Sequence, residues 1–504
     1  MAAVLRGLVL VLSVGYVVLY AALVCLRVAY PFELEWLEGA CVDHVRTILA
    51  GEPLYAKPSL DFIPLTYTPG YFYLAAGLSR IIGAGFLPLR LISIAASIGL
   101  LAMLYRLASR ETGSAHAGWL AAGCFAAMYG WTDGWLDLAR VDSLFLLLVF
   151  VAIYLLRWHA SSTGAASLAG LLIAAAFLVK QTGLIVGVPL AVYGLWRGWR
   201  IFAAYAGTLA IVVLGANALL QRAFDGWYSY YVFGVPAQHP LATEMLWGFW
   251  RFDLLRPLPL ALVGSAVYVC WRLARSVTRH DDRDAALFYL LAAAGLFGGA
   301  LASRLHSLSY VNVVLPAYAM LSLLFAIAVH DGAEAAGAAR PPAGDSSTTD
   351  RAGARVRRWA PSAIYAVALL QLVRLVYAPA ALVPTEADVE AGRAFVRALA
   401  AMPGDVFVPY HGYLPAMAGK RTHAHAVVIA DVIRGGETAV EKGLDESLRD
   451  ALRTHRFTAV IAFDTPTPVE RWLPIGEHYR RAETIVDRRS RFWRPEVTYV
   501  RAPE

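Results

Sequence analysis

Long apolar runs alternate with short polar stretches from the N-terminus to about residue 380. The runs fall at roughly 5–28, 88–108, 117–131, 143–157, 165–179, 182–196, 200–220, 255–272, 285–302, 309–329 and 359–379. A perpendicular helical span takes about 20 apolar residues, so the shorter runs must borrow from their flanks. The pattern predicts about eleven transmembrane helices with juxtamembrane helices between them. The first run follows Arg6 and has no small-residue cleavage site before Glu33-Leu34-Glu35, which predicts a retained first helix.

The stretch Pro69-Gly70-Tyr71-Phe72-Tyr73-Leu74-Ala75-Ala76-Gly77-Leu78 decides the orientation. Its apolar core of about 14 residues is short for a crossing. As an interfacial or re-entrant helix, it puts Arg106 and Arg110, Arg157, Arg197 and Arg200, Arg272, Arg275 and Arg279, and Arg355, Arg357 and Arg358 on one side. Basic clusters mark the cytoplasmic side, so the N-terminus is expected inside and the C-terminal tail outside, across a cell (inner) membrane. Residues 331–358, with Pro341-Pro342 and Gly344-Asp345-Ser346-Ser347, read as a flexible cytoplasmic linker within a membrane domain of residues 1–380.

Beyond residue 380 the pattern becomes that of a soluble domain, 381–504. Helical periodicity covers Glu386 to Ala401 and about Leu444 to Thr454, while Val406 to Tyr410 and Phe457 to Phe463 read as buried strands. The expected fold class is therefore an α-helical polytopic membrane protein with a C-terminal extracytoplasmic α/β domain.

Composition agrees with the pattern. Of 504 residues, 59% are hydrophobic and 16% charged, and so much apolar surface needs a bilayer to cover it. The net charge of +7 comes from arginines at the ends of apolar runs, which argues against a nucleic-acid partner. Cys25, Cys124 and Cys270 lie in apolar runs and Cys41 in a polar loop, so the 4 cysteines offer neither a disulfide framework nor a zinc pairing. No P-loop, dinucleotide turn or His-Glu-x-x-His occurs.

Four polar patches converge on the outer face of this topology. In the loop after the first span, Glu35, Glu38 and Asp43 recur near helical spacing. A carboxylate beside apolar surface is desolvated and becomes a general base near neutral pH; the alternative is an interfacial helix whose acids face water. The second patch holds Asp137, Arg140 and Asp142 at the mouth of a span, where acids are costly and functional, or where Arg140 and Asp137 form a surface ion pair. Lys180, in an apolar hairpin, either meets a phosphate or extends its ammonium to the interface. Arg304 and His306 offer positive charge to an anionic headgroup, or form a polar turn. Between residues 221 and 256, Trp227, Tyr228, Tyr230, Tyr231, Trp247 and Trp250 make an interfacial belt or line a groove.

In order and spacing these patches resemble the GT-C glycosyltransferases, the group of the protein O-mannosyltransferases and the lipid A aminoarabinose transferase. The resemblance rests on Glu35/Glu38 with the helix Asp43 to Gly51, on Leu65-Thr66-Tyr67-Thr68-Pro69-Gly70-Tyr71, on Arg140-Val141-Asp142, and on Phe177-Leu178-Val179-Lys180. Glutamates stand where the family carries aspartate, and counting back from Arg46 and Gly51 favours Glu38 over Glu35 as the base. The resemblance implies a polyprenyl-phosphate sugar donor and a glycan, lipid or protein acceptor, with membrane lipids around the spans. It implies Glu38, Glu35 and Asp142 as catalytic residues, and Arg140, Asp137, Lys180, Arg304, His306 and Tyr67 as donor-phosphate or substrate contacts. No cofactor is required, but a divalent metal on Glu38 and Asp142 is compatible with the family. A secondary transporter should show internal repeats and broken helices at the midplane, whereas here the charges cluster at one face. A non-catalytic lipid- or glycan-handling protein would not need acids in both outer loops.

Overall fold

A computed structural model of the chain describes residues 1–278, 280–338, 348–435, 438–462, 473–482 and 497–501. Each apolar run is helical. In chain order the helices are α1 (Ala2–Arg27), α2 (Glu38–Leu49), α3 (Gly70–Ile82), α4 (Phe86–Thr112), α5 (Ala115–Ala127), α6 (Asp142–His159), α7 (Thr163–Val179), α8 (Gly183–Arg197) and α9 (Trp199–Ala223). They continue as α10 (Pro259–Thr278), α11 (His280–Arg304), α12 (Leu315–Ala338) and α13 (Thr348–Arg374). Among the described residues, six helices (α1, α4, α6, α9, α11 and α12) are long and apolar enough to cross a membrane, and α10 and α13 belong to bent pairs that reach that length. The other three of the runs, α5, α7 and α8, have 13, 17 and 15 residues. At 1.5 Å per residue, none of these three reaches the roughly 30 Å of a hydrocarbon core unaided. The chain is a multi-pass membrane protein.

The helices pack as a bundle. α5 fits between α1, α4 and α12; α6 and α9 flank α7, and α8 pairs with α11. α12 is buried almost all round from Leu315 to Ile327, as a helix apolar on every side must be. α3 has 13 residues and buries Tyr71, Phe72, Ala75, Ala76 and Ser79 on one stripe against its neighbours. Its start is pressed onto the end of α7, where a Cβ at Gly70 would come within 2.6 Å of the Leu178 carbonyl oxygen. Glycine there lets α3 reach the turn that carries Lys180.

Two expectations change. α12 continues as helix from Asp331 to Ala338 and α13 begins at Thr348, so helix occupies much of the stretch read as a flexible linker. Arg279, Pro341-Pro342, Gly344-Asp345-Ser346-Ser347 and Phe463 lie outside the described residues, as do the side chains of Arg355, Arg357 and Arg358. In the aromatic loop, Tyr228 and Tyr231 are buried and pack on Tyr55, with ring centroids 5.5 and 6.3 Å away, whereas Trp247 is 81% exposed. The loop is part core and part rim because its helical turns face two ways.

The C-terminal part adds α14 (Glu386–Ala401), α15 (Ala426–Ile433) and α16 (Ala439–Arg453) around a four-stranded sheet of order β1-β2-β4-β3. β1 (Val406–Phe407) runs parallel to β2 (Ala459–Ala462); β4 (Val497–Arg501) is antiparallel to both β2 and β3 (Tyr479–Arg481). Capping boxes at Thr385 and Thr438 start α14 and α16. The sheet region docks on the loop after α1. Trp36 stacks on Tyr410 at 5.7 Å, and His411 Nδ1 hydrogen-bonds the buried Glu33 carboxylate.

Candidate active site

The loop of residues 28–37, the turns before α6 and between α7 and α8, the segment after α11 and the docked sheet region enclose a cavity of ≈ 940 Å³. Its polar wall includes Glu35, Tyr67, Arg140, Lys180 and Asn312, and its apolar wall Ile185, Val232, Phe233 and Val313.

Glu38 and Glu35 divide sharply. Glu38 opens α2, and its carboxylate turns back onto its own helix start and away from the cavity. Oε1 accepts from Arg90 Nε at 3.0 Å and the Ala139 N–H at 2.7 Å; Oε2 accepts from Arg90 Nη2 at 2.6 Å and the Leu34 N–H at 2.7 Å. Burial alone would push this carboxyl up, but Arg90 and the two amides hold it below the ordinary value. Glu38 does not line the cavity, so the preference for it over Glu35 is corrected: every oxygen lone pair it could offer a substrate is already engaged. Glu35 does line the cavity. It accepts from the Leu37 N–H at 3.2 Å and stands 3.5 Å from Arg140 Nη1. Burial, opposed by Arg140 and reinforced by Glu38, pushes the Glu35 carboxyl up to about 7.

Arg140 is placed by the tight turn before α6, where Ser93 Oγ donates to its carbonyl at 3.0 Å. Its guanidinium lies over the Trp135 and Tyr67 rings at 5.2 and 5.9 Å, and Nη2 donates to Tyr67 Oη at 3.3 Å. Nε and Nη1 are buried yet donate no hydrogen bond among the described residues. A buried donor left unmade costs about 1–3 kcal/mol, and a ligand anion would recover it. Lys180 caps the end of α7, and its Nζ donates to Asp142 Oδ1 at 2.6 Å. Asp142 itself is behind the wall, where it also accepts from Trp135 Nε1 at 2.8 Å and Asn312 Nδ2 at 3.2 Å.

The remaining expected contacts separate. Asp137 makes no pair with Arg140: it binds Arg27 Nε at 2.9 Å and accepts from Tyr129 Oη at 2.7 Å, away from the cavity. Arg304 is also withdrawn, because Nε and Nη2 fork onto Asp253 at 2.7 and 3.3 Å while Nη1 donates to the Ser309 carbonyl at 2.8 Å. Both corrections have one cause, a partner of opposite charge distant in sequence: Arg27 for Asp137 and Asp253 for Arg304. His306 does line the cavity, but its neighbours are His239 and Arg434 rather than Arg140 or Lys180. Glu38 and Asp142 do not suit a metal either, each being saturated by its own cation, and the described residues hold no group of three or more His, Cys, Asp or Glu fit to ligate one. Sequence reading passed over His239, Asp431 and Arg434; the only trace was an acid and an arginine three positions apart ending an apolar helix.

The comparisons with known proteins bear on this architecture. ArnT from Cupriavidus metallidurans superposes with a TM-score of 0.56 when bound to undecaprenyl phosphate and 0.55 in the apo state, in each case at 13% identity over 97% of this chain and 99% of that one. The Archaeoglobus fulgidus oligosaccharyltransferase in complex with Zn and sulfate superposes with a TM-score of 0.51 at 12% identity, over 97% of this chain and 73% of that one. No curated protein sequence matches the chain. Residues 66–220, which carry Tyr67, Arg140, Asp142 and Lys180, match the model of the family Dolichyl-phosphate-mannose-protein mannosyltransferase, and the chain has the fold of the GT-C glycosyltransferases.

Proposed function

We propose that the chain is an integral-membrane glycosyltransferase that moves a sugar from a polyprenyl-phosphate donor to a hydroxyl of a glycan, lipid or protein acceptor. The observation that carries this reading is the half-satisfied Arg140, buried on the cavity wall with Nε and Nη1 making no hydrogen bond among the described residues and Nη1 facing Glu35. ArnT, whose fold this chain shares, has been solved with undecaprenyl phosphate, which supports a lipid-linked phosphate as the group these donors await. The apolar wall of Ile185, Val232 and Phe233 suits the prenyl chain.

In this reading Glu35 accepts the proton of the acceptor hydroxyl as its oxygen attacks the anomeric carbon. The bond from that carbon to the phosphate oxygen breaks, and the electron pair leaves with the lipid phosphate. Arg140, assisted by Lys180, neutralises the charge that develops there. Asp142 is a positioning residue that holds the Lys180 ammonium. The chemistry lies on the extracytoplasmic side of an inner membrane, with the N-terminus in the cytoplasm. A reporter fused after residue 380 is then outside and one placed within 335–355 inside; both on one side would reverse the site's location.

The donor site is tested by undecaprenyl phosphate binding to the purified chain in nanodiscs. Arg140→Gln should weaken it roughly 10- to 100-fold, the loss of one charge-assisted contact. Unchanged affinity would remove the basis of the reading.

A further inference from the structure

A second polar group lines the same cavity, and the donor reading leaves it unused. Arg434 follows α15 and Asp431 lies within it, His239 comes from the loop after α9, and His306 and Ser307 come from the turn after α11. Arg434 Nη2 donates to Asp431 Oδ1 at 2.6 Å and to His239 Nδ1 at 2.7 Å, while Nη1 donates to Ser307 Oγ at 3.1 Å. His239 Nε2 also pairs with the Asp431 carbonyl at 3.2 Å, and burial beside the Arg434 charge pushes this imidazole down to about 4, so the ring is neutral and serves as a spacer. The Arg434 side chain is only 7% exposed, yet its Nε has no hydrogen-bond partner among the described residues, and neither has His306 Nδ1.

These two nitrogens come from elements far apart in the chain, and both can donate. Among the described residues no hydrogen bond or ion pair joins them to Arg140 or Lys180, so the cavity carries two separate sets of unspent donors. Burial, opposed by Arg434, pushes the Asp431 carboxyl up to about 6. A docking role for Arg434 would need only its Nη contacts and would leave no reason to bury Nε without a partner.

We propose that Arg434 and His306 form a second anion subsite, and that the acceptor carries a phosphate or carboxylate that binds there. The inference rests on the reading that the Arg140 end holds the donor phosphate, and it narrows the acceptor to an anionic one. A charged donor beside a neutral one suits an anion's several lone pairs better than the mixed donors and acceptors of a neutral sugar.

The test measures binding of glucose 1-phosphate, methyl glucuronide and glucose to the full chain in nanodiscs, before and after saturation with undecaprenyl phosphate. The anionic sugars should bind the saturated protein, and glucose much less. Arg434→Gln should weaken anion binding roughly 10- to 100-fold and Arg434→Lys should restore most of it, while undecaprenyl phosphate affinity stays unchanged in both. His306→Ala should weaken it several-fold, and it decides the matter if Arg434→Gln lowers the melting temperature, because His306 Nδ1 has no partner to lose. Three results would each overturn the inference: glucose binding as tightly as its phosphate, anion binding unchanged in both the Arg434→Gln and His306→Ala variants, or displacement of glucose 1-phosphate by undecaprenyl phosphate. Failure of the donor reading is read separately, as undecaprenyl phosphate affinity that ignores Arg140→Gln.

Discussion

Glu35, in the loop after α1, and Glu38, at the start of α2, stand three positions apart and each faces an arginine, yet the two pairs are built differently. Every nitrogen of Arg90 is engaged: Nε and Nη2 hold Glu38, Nη1 donates to the Tyr30 carbonyl at 2.5 Å and Nη2 also to the Phe32 carbonyl at 2.6 Å. That closed pair pins the loop after α1 to α4. Arg140 instead leaves Nε and Nη1 without a hydrogen bond among the described residues, and Nη1 stands 3.5 Å from a carboxylate that is itself only lightly bound. The closed pair fixes the frame, and in the proposed reading the open one receives the donor phosphate. Saturation of hydrogen bonds, rather than burial or charge alone, tells a structural ion pair from a binding one.

The comparison breaks first at the closed pair. Arg90→Ala leaves Glu38 as an uncompensated buried charge and should cost roughly 3–5 kcal/mol, enough to prevent recovery of a folded protein. Size-exclusion and thermal-unfolding profiles of the detergent-extracted variant would check it, and a wild-type melting temperature would make the closed pair dispensable.

How far this division could be read from sequence depends on the residue. The helices were legible because continuous apolar runs have few other uses, and the shortness of α3 was legible from its apolar core. Arg140 and Lys180 were legible as polar groups forced to the ends of spans, and Tyr67 only through the family resemblance of the stretch around it. The choice between Glu35 and Glu38 was not, since it depends on Arg90, which is 52 positions beyond Glu38 in the chain. Arg304 looked available for the same reason, its partner Asp253 being 51 positions away. Only long-range folding brings Arg434 to the cavity. Tertiary partners cancel charges, and a single sequence does not name the partners.

A smaller effect sharpens the open pair. With its carboxyl at about 7, Glu35 is protonated and unable to accept a proton at lower pH, so the transfer rate should rise as pH passes through about 7 and then level off. Arg140 lowers that value, so Arg140→Gln should move the inflection to higher pH in a pH–rate profile at saturating donor. A profile flat from pH 5 to 8 would assign the proton transfer to another group.

The central claim, that Glu35 rather than Glu38 takes the acceptor's proton, is tested most directly by the single-turnover transfer rate of Glu35→Gln at saturating polyprenyl-phosphate sugar. The rate should fall ~10²–10⁴-fold, with undecaprenyl phosphate affinity and melting temperature kept near wild type. A folded Glu35→Gln protein that transfers sugar at the wild-type rate would contradict the account.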